Sequence, residues 1–384
     1  MKRVERAQAT VMAADAYATL GRQLAERLAS EFVGSDPPRR RFHSAVLIAY
    51  LLAIPVVVME LGLAALGVYL LSGGIAIGSV VGATLCFVFV WGTVPRPRRM
   101  PRGAVAVDIP ALQRSIDAAA DALEVRAPAV LVTDEFDAYV NTIGIRRRSI
   151  LVLGIPMVVG LTAPELAFLV AHELAHQESG DPARAWFLWF ARRILIGWRV
   201  VLTPRAAIRR LGHTVVPPAA ESLAQLVMGF LAGLVLAYDV LLIHPLLQDS
   251  RRAEHRADVL ARRVAGTSAA ADALRKLAPL YGAYDYVVMM AARHPQREDG
   301  AAAEYLERAT SLGPRRIEPT ENAATLDATH PPTDLRLRVV ESVLESPSIR
   351  VSRGDENEIH AAFAEALPGS MRRMIEAFRV RNRL

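Results

Sequence analysis

Two apolar runs near the start of the chain constrain its folding more than anything else in it. Residues Ala45 to Leu71 are nearly unbroken hydrophobe with Glu60 as the one charge, Ser72, Gly73 and Gly74 form a turn, and Ile75 to Val94 carry no charge. Each run is long enough to cross roughly 30 Å of hydrocarbon. In the first, about fifteen Leu, Ile and Val side chains at about −0.4 kcal/mol each outweigh one Glu at about +3 kcal/mol. The expectation is a membrane hairpin, with Glu60 protonated or turned toward a neighbouring helix in preference to a functional role.

Composition agrees with that expectation. Hydrophobic residues make up 52% of the 384 and charged residues only 22%, too apolar for a disordered chain and high for a wholly soluble one. The net charge of +6 comes from arginine, since Lys2 and Lys276 are the two lysines. Aromatic residues are 6%, and the arginines are scattered or flank apolar runs, which disfavours a nucleic-acid partner. Arg39, Arg40 and Arg41 precede the hairpin and Arg96, Arg98, Arg99 and Arg102 follow it, so both of its ends are expected in the cytoplasm. With Cys86 the single cysteine, a disulfide framework and a cysteine zinc site are excluded. Any metal has to be held by His, Asp or Glu.

The remaining chain divides by pattern. Val4 to Val33 has helical apolar spacing and reads as an amphipathic helix rather than a signal peptide. Ala185 to Leu202 is apolar but carries Arg192, Arg193 and Arg199, and Leu223 to Leu247 carries Asp239 and His244, so this pair is expected to be membrane-associated with its full crossing left open. Ala129 to Thr133 and Ser149 to Gly154 read as short strands, and His294 to Asp334 as loop. The expected division is an N-terminal amphipathic cytoplasmic segment (1–43), a transmembrane hairpin (44–94), a first catalytic part (95–184), a membrane-associated helical pair (185–248) and a second catalytic part (249–384).

Chemistry concentrates in His172-Glu173-Leu174-Ala175-His176. Thr162 and Glu165 form a capping box ahead of it, Leu166, Leu169, Val170 and Leu174 recur at helical spacing, and Gly180 offers a stop. On such a helix His172 and His176 lie one turn apart and can face one cation, while Glu173 projects at another angle, suited to a water. A catalytic zinc needs a third protein ligand. Ser179 and Pro182 stand where the metzincin pattern has its glycine and third histidine, so that ligand comes from elsewhere. In Ser250-Arg-Arg-Ala-Glu254-His255-Arg-Ala-Asp258, on a helix ending near Gly266, Glu254 can ligate while Asp258 orients a ligating histidine. His255 is a rival ligand about 100° round the helix, and a solvated acidic pair bridging to Arg251, Arg262 or Arg263 is an equal alternative from spacing alone.

The HELAH motif with Asp181 five residues beyond it, the SRRAEHRAD segment, and Thr329-His330-Pro331-Pro332 with Arg336 together resemble the membrane-bound zinc metallopeptidases that include HtpX and the CAAX prenyl endopeptidases. The resemblance covers about Val130 to Arg338. It implies a mainly α, zincin-like catalytic domain with a small β-sheet plus transmembrane helices, and one zinc (Zn2+) per chain on His172, His176 and Glu254 with Glu173 as catalytic base. It differs in having His255 where an aromatic follows the zinc Glu, and Val140-Asn141-Thr142 at the substrate strand. His330 and Arg336 are expected either to donate to the transition state or to cap the last helices. The activity implied is endoproteolysis of misfolded or membrane polypeptides at the cytoplasmic face of the lipid bilayer, with the substrate pairing to a sheet edge near Ser149 to Leu153. A catalytically silent scaffold with a structural metal and a prenyl-protein endopeptidase are the alternatives.

Overall fold

A computed structural model of the protein describes residues 22–34, 44–72, 76–96, 100–101, 103–144, 148–178, 181–203, 218–312 and 331–383. In chain order these hold helix α1 (22–30), α2 (Ser44–Ser72), α3 (Ile77–Thr93), strand β1 (Val105–Ala106), α4 (Pro110–Ala122), β2 (Ala129–Thr133), β3 (Ala138–Ile143), β4 (Arg148–Gly154), α5 (Ile155–Gly160) and α6 (Ala163–Glu178). Then come α7 (Asp181–Leu202), α8 (Pro218–Ala265), α9 (Thr267–Arg293), α10 (Ala301–Ser311), α11 (Thr333–Glu341) and α12 (Arg353–Asn382). The fold is mainly α with one small sheet, and the chain forms two compact units. One comprises Met1–Arg40, Arg98–Pro182 and Ser250–Leu384, and the other Arg41–Pro97 and Ala183–Asp249.

The second unit is apolar outside and polar at chosen points inside. Ala49, Ala53 and Val56 of α2 pack on Leu188, Ala191, Ile194, Leu195 and Trp198 of α7 and Leu242 of α8. Small side chains on α2 let the helices approach closely. Glu60 is buried and turned toward its neighbours: Trp198 Nε1–H donates to Oε2 (2.7 Å), and the Thr93 hydroxyl donates to Oε1. Arg192 donates to Asp239 (3.2 Å), and the Tyr238 hydroxyl donates to the Leu52 carbonyl (2.8 Å). The charge of Arg192, which makes α7 a poor span by itself, is thus answered by α8. Leu47, Leu51, Val58 and Leu61 of α2 and Leu226, Phe230 and Leu234 of α8 remain exposed, as a surface made for lipid would.

Among the described residues, two helices are long and apolar enough to cross a bilayer, over Val46–Ser72 and Gln225–Ala265. The second expected run is shorter as a helix than as a sequence, since α3 has 17 residues, about 26 Å at 1.5 Å per residue. The long second candidate is instead α8, which begins in the region whose crossing the sequence left open and continues past residue 248 to Ala265.

In the other unit the strand order is β1-β2-β4-β3, with β2 and β4 parallel and the other pairs antiparallel. Alternate residues serve opposite faces: Val130, Val132, Leu151 and Leu153 join the main core with α4, α6 and α9, while Leu131, Ile150 and Val152 form a smaller cluster behind. β4 therefore lies inside the sheet, bonded on both sides, and cannot take a substrate strand. The edge on that side is β3, which corrects the expectation placed on Ser149 to Leu153. Gly154 is required where β4 ends, because a Cβ there would run into the Glu135 carbonyl oxygen.

Helix α6 starts as its sequence signals, with the Thr162 N–H donating to the Glu165 carboxylate (2.7 Å), half of a capping box. It runs to Glu178; Gly180 lies outside the described residues. Helix α8 stops at Gly266, whose φ of +85° suits a residue without a Cβ. Helix α1 joins this unit through Ala25, Ala29 and Phe32, packed on Val259 of α8 and Leu335 and Val339 of α11. Arg22 pairs with Asp334, and Arg252 pairs with Glu31 (3.0 and 3.1 Å). The expected loop from His294 to Asp334 is corrected at Thr333 and Asp334, which open α11, and over Ala301–Ser311, a helix that buries Ala301, Ala302, Tyr305 and Ala309; residues 313–330 lie outside the described residues. Those four positions have helical spacing, which the surrounding Pro and polar residues masked. Residues 4–21 of the expected N-terminal helix lie outside the described residues.

Candidate active site

Helix α6 brings His172 and His176 to within 5.1 Å between ring centroids, with the ring planes 89° apart. Glu254 reaches them from α8: Oε2 lies 3.5 Å from His172 Nε2, and Oε1 lies 3.5 Å from His176 Nε2. One ligand atom from each of the three falls within 4.8 Å of the others. Four ligands at about 2.1 Å in a tetrahedron stand roughly 3.4 Å apart, so this donor set fits a zinc-sized cation. The His176 side chain is 23% exposed against 4% for His172 and 7% for Glu254. The cluster is therefore open on the His176 side, where a catalytic site keeps a free position.

Behind His172 stands a buried relay. Asp258, one turn beyond Glu254, places Oδ1 3.0 Å from His172 Nδ1. Arg336 of α11 donates to both Asp258 oxygens, from Nε (2.9 Å) and Nη2 (2.7 Å). Burial pushes the Asp258 carboxyl upward, but the Arg336 guanidinium holds it well below the usual carboxylate range, so it is ionised. Burial likewise opposes charge on His172, yet hydrogen bonds to Asp258 and Glu254 raise its pKa to about 10. Burial depresses Arg336 and the Asp258 charge restores it, leaving the pKa raised. These charges compensate one another only as a set.

Glu173 leaves the cluster at a different angle, and its Oε2 accepts a hydrogen bond from the Val140 N–H of β3 (3.2 Å). The reading of Glu254 and Asp258 as a solvated acidic pair is overturned by their burial. Arg262, one of its supposed partners, instead donates to Glu345 (2.8 Å) and to the Val339 carbonyl (3.1 Å). His255 is fully buried, outside the cluster, against Phe32 (5.8 Å between centroids), and burial pushes its pKa down to about 4. Arg336 makes its close contacts to Asp258, and His330 lies outside the described residues. Two contacts were beyond sequence reasoning: the Val140 amide on Glu173, and the Ser149 hydroxyl donating to Gln177 Oε1 (3.0 Å). The strand involved was signalled by the resemblance at Val140-Asn141-Thr142 and by the β-branched Val140, Thr142 and Ile143.

No curated protein and no solved structure matches the chain. A family model, Peptidase family M48, matches residues 108–344, more than half of the chain and the stretch that holds every residue of the cluster. By that match the chain is a peptidase of a zinc-dependent kind, and it belongs to Peptidase family M48.

Proposed function

We propose that the protein is a membrane-embedded zinc metalloendopeptidase in which His172, His176 and Glu254 hold the metal and Glu173 is the catalytic base. The observation that carries this reading is the convergence of two imidazoles and one carboxylate, open on one side, with a separate carboxylate one residue along the same helix. When bound, zinc supplies a Lewis acid that acidifies water and polarises a carbonyl. Glu173 takes the proton of the attacking water and returns it to the departing amine. Asp258 accepts from His172 Nδ1–H, so Nε2 is the nitrogen that would ligate once its proton is displaced, and Arg336 keeps Asp258 charged in its buried position. Arg336 acts through Asp258, which fits positioning better than direct contact with the transition state.

The apolar unit and its arginine flanks support a multi-pass protein of the cell membrane with its peptidase part in the cytoplasm. The same features favour misfolded or membrane polypeptides as substrates. The test is cleavage of unfolded casein by detergent-purified wild type and Glu173→Gln, with zinc measured on both. About one zinc in each and cleavage by wild type alone is the expected result. Zinc in both with no cleavage by either would favour a silent scaffold.

A further inference from the structure

β3 is the edge of the sheet, and the bonding on its free side can be placed residue by residue. The Gly154 N–H donates to the Asp137 carbonyl (2.7 Å), and the register pairs Ala138 with Leu153 and Val140 with Leu151. Bonded and non-bonded pairs alternate along an antiparallel ladder. Main-chain groups of Tyr139, Asn141 and Ile143 therefore face β4, and those of Ala138, Val140 and Thr142 face outward. A row of that kind is what an extended polypeptide adds to, and what native proteins otherwise protect.

Each of these three outward amides has a side-chain acceptor. Ala138 N–H donates to Asp137 Oδ1 (2.9 Å), Val140 N–H to Glu173 Oε2 (3.2 Å), and Thr142 N–H to Asn141 Oδ1 (2.9 Å). Carboxylate and amide oxygens cover donors, and among the described residues no donor is placed on the carbonyls of Ala138, Val140 and Thr142, the groups an incoming strand's N–H groups would take.

We propose that Asp137, Glu173 and Asn141 form a displaceable cover on the docking edge, and that a polypeptide strand which takes the Val140 amide releases Glu173 to act as base. This rests on the reading of Glu173 given above. With β3 uncovered by substrate, the Glu173 carboxylate is turned to main chain. A carbonyl of the docking chain replaces it at Val140, and the freed oxygen is then available to a water proton, so docking and activation are one event. Asp137 and Asn141 are positioning residues that set how readily the edge opens. A chain must present carbonyls at two-residue spacing to displace all three acceptors together, which selects extended, unfolded polypeptide by its main chain.

The experiment uses full-length protein in detergent. Fluorescence anisotropy of labelled unfolded casein is measured with the metal chelated, and kcat and KM for its cleavage with zinc present, in wild type, Asp137→Ala, Asn141→Ala and Asp137→Asn. Each Ala variant is expected to lower Kd and KM by about fivefold with kcat unchanged, the worth of one hydrogen bond no longer competed for. Asp137→Asn, which keeps the acceptor, should match wild type. Hydrogen exchange at residues 138–142 of wild type should slow when casein binds. Unchanged or weaker binding in both Ala variants overturns the proposal, as does an Asp137→Asn that behaves like Asp137→Ala, which would assign the effect to charge. Unprotected amides in bound wild type also overturn it, whatever the variants do. If wild type binds casein without cleaving it, the peptidase reading fails and this proposal with it. If wild type cleaves, Glu173→Gln does not, and the Ala variants are unchanged, the cover alone fails.

Discussion

Asp258 carries more of the site than a residue outside the ligand set usually does. It is fully buried, contacts His172 at 3.0 Å and accepts two bonds from Arg336. Asp258→Ala would leave the buried guanidinium unanswered and His172 without a tautomer-fixing partner. Zinc affinity measured by chelator competition should fall about 10- to 100-fold, and stability should fall by about 3–5 kcal/mol. Asp258→Asn, which still accepts one bond, should lose less of both. His172 and His176 were legible as a pair because they lie four residues apart on one helix, a relation that sequence states directly; the same spacing left Glu254 and Asp258 level with a solvated acidic pair, and the resemblance singled out Glu254. The Arg336–Asp258 contact spans 78 residues and the Val140–Glu173 contact 33, and no local pattern encodes either meeting.

At the scale of elements, the long apolar helices and two of the short strands, Ala129–Thr133 and Arg148–Gly154, announced themselves, whereas the helix Ala301–Ser311 read as loop. Ser44–Ser72 matches its apolar run nearly to the residue, since a continuous hydrophobic stretch has few other structures open to it in lipid. β3 was named only through the resemblance, at Val140-Asn141-Thr142, and its six residues, all partly buried, show no clear alternation that would have placed it at the sheet edge. Its placement depends on Gly154 letting the chain turn beneath Glu135. Gly154→Ala should cost about 1–3 kcal/mol through overpacking, read as a lowered melting temperature, and should disturb the edge beside Glu173. In the apolar unit the polar ties join helices that sequence reads one at a time. Trp198→Phe removes the donor to Glu60 Oε2 and should destabilise by about 1–3 kcal/mol. Glu60→Gln, whose carbonyl accepts from one of the two donors, should retain more, and thermal unfolding in detergent ranks the two.

For the whole molecule the membrane topology is the open quantity with a direct readout. With Cys86 replaced by Ser, cysteines introduced at Gly34 and Gly103 should label from the cytoplasmic side, and one at Ala76 from the opposite side. Metal removal tests the linkage between site and fold: zinc at about 100 times its Kd should stabilise by about 2.7 kcal/mol, so chelation should lower the melting temperature of wild type and leave His172→Ala unaffected. Arg336 follows His172 by 164 residues in the chain. A ribosome delivers the HELAH helix long before it delivers the carboxylate on α8, and α11 comes later still. The metal cluster is therefore incomplete until Glu254 has been made, and the buried relay behind His172 lacks its guanidinium until Arg336 has.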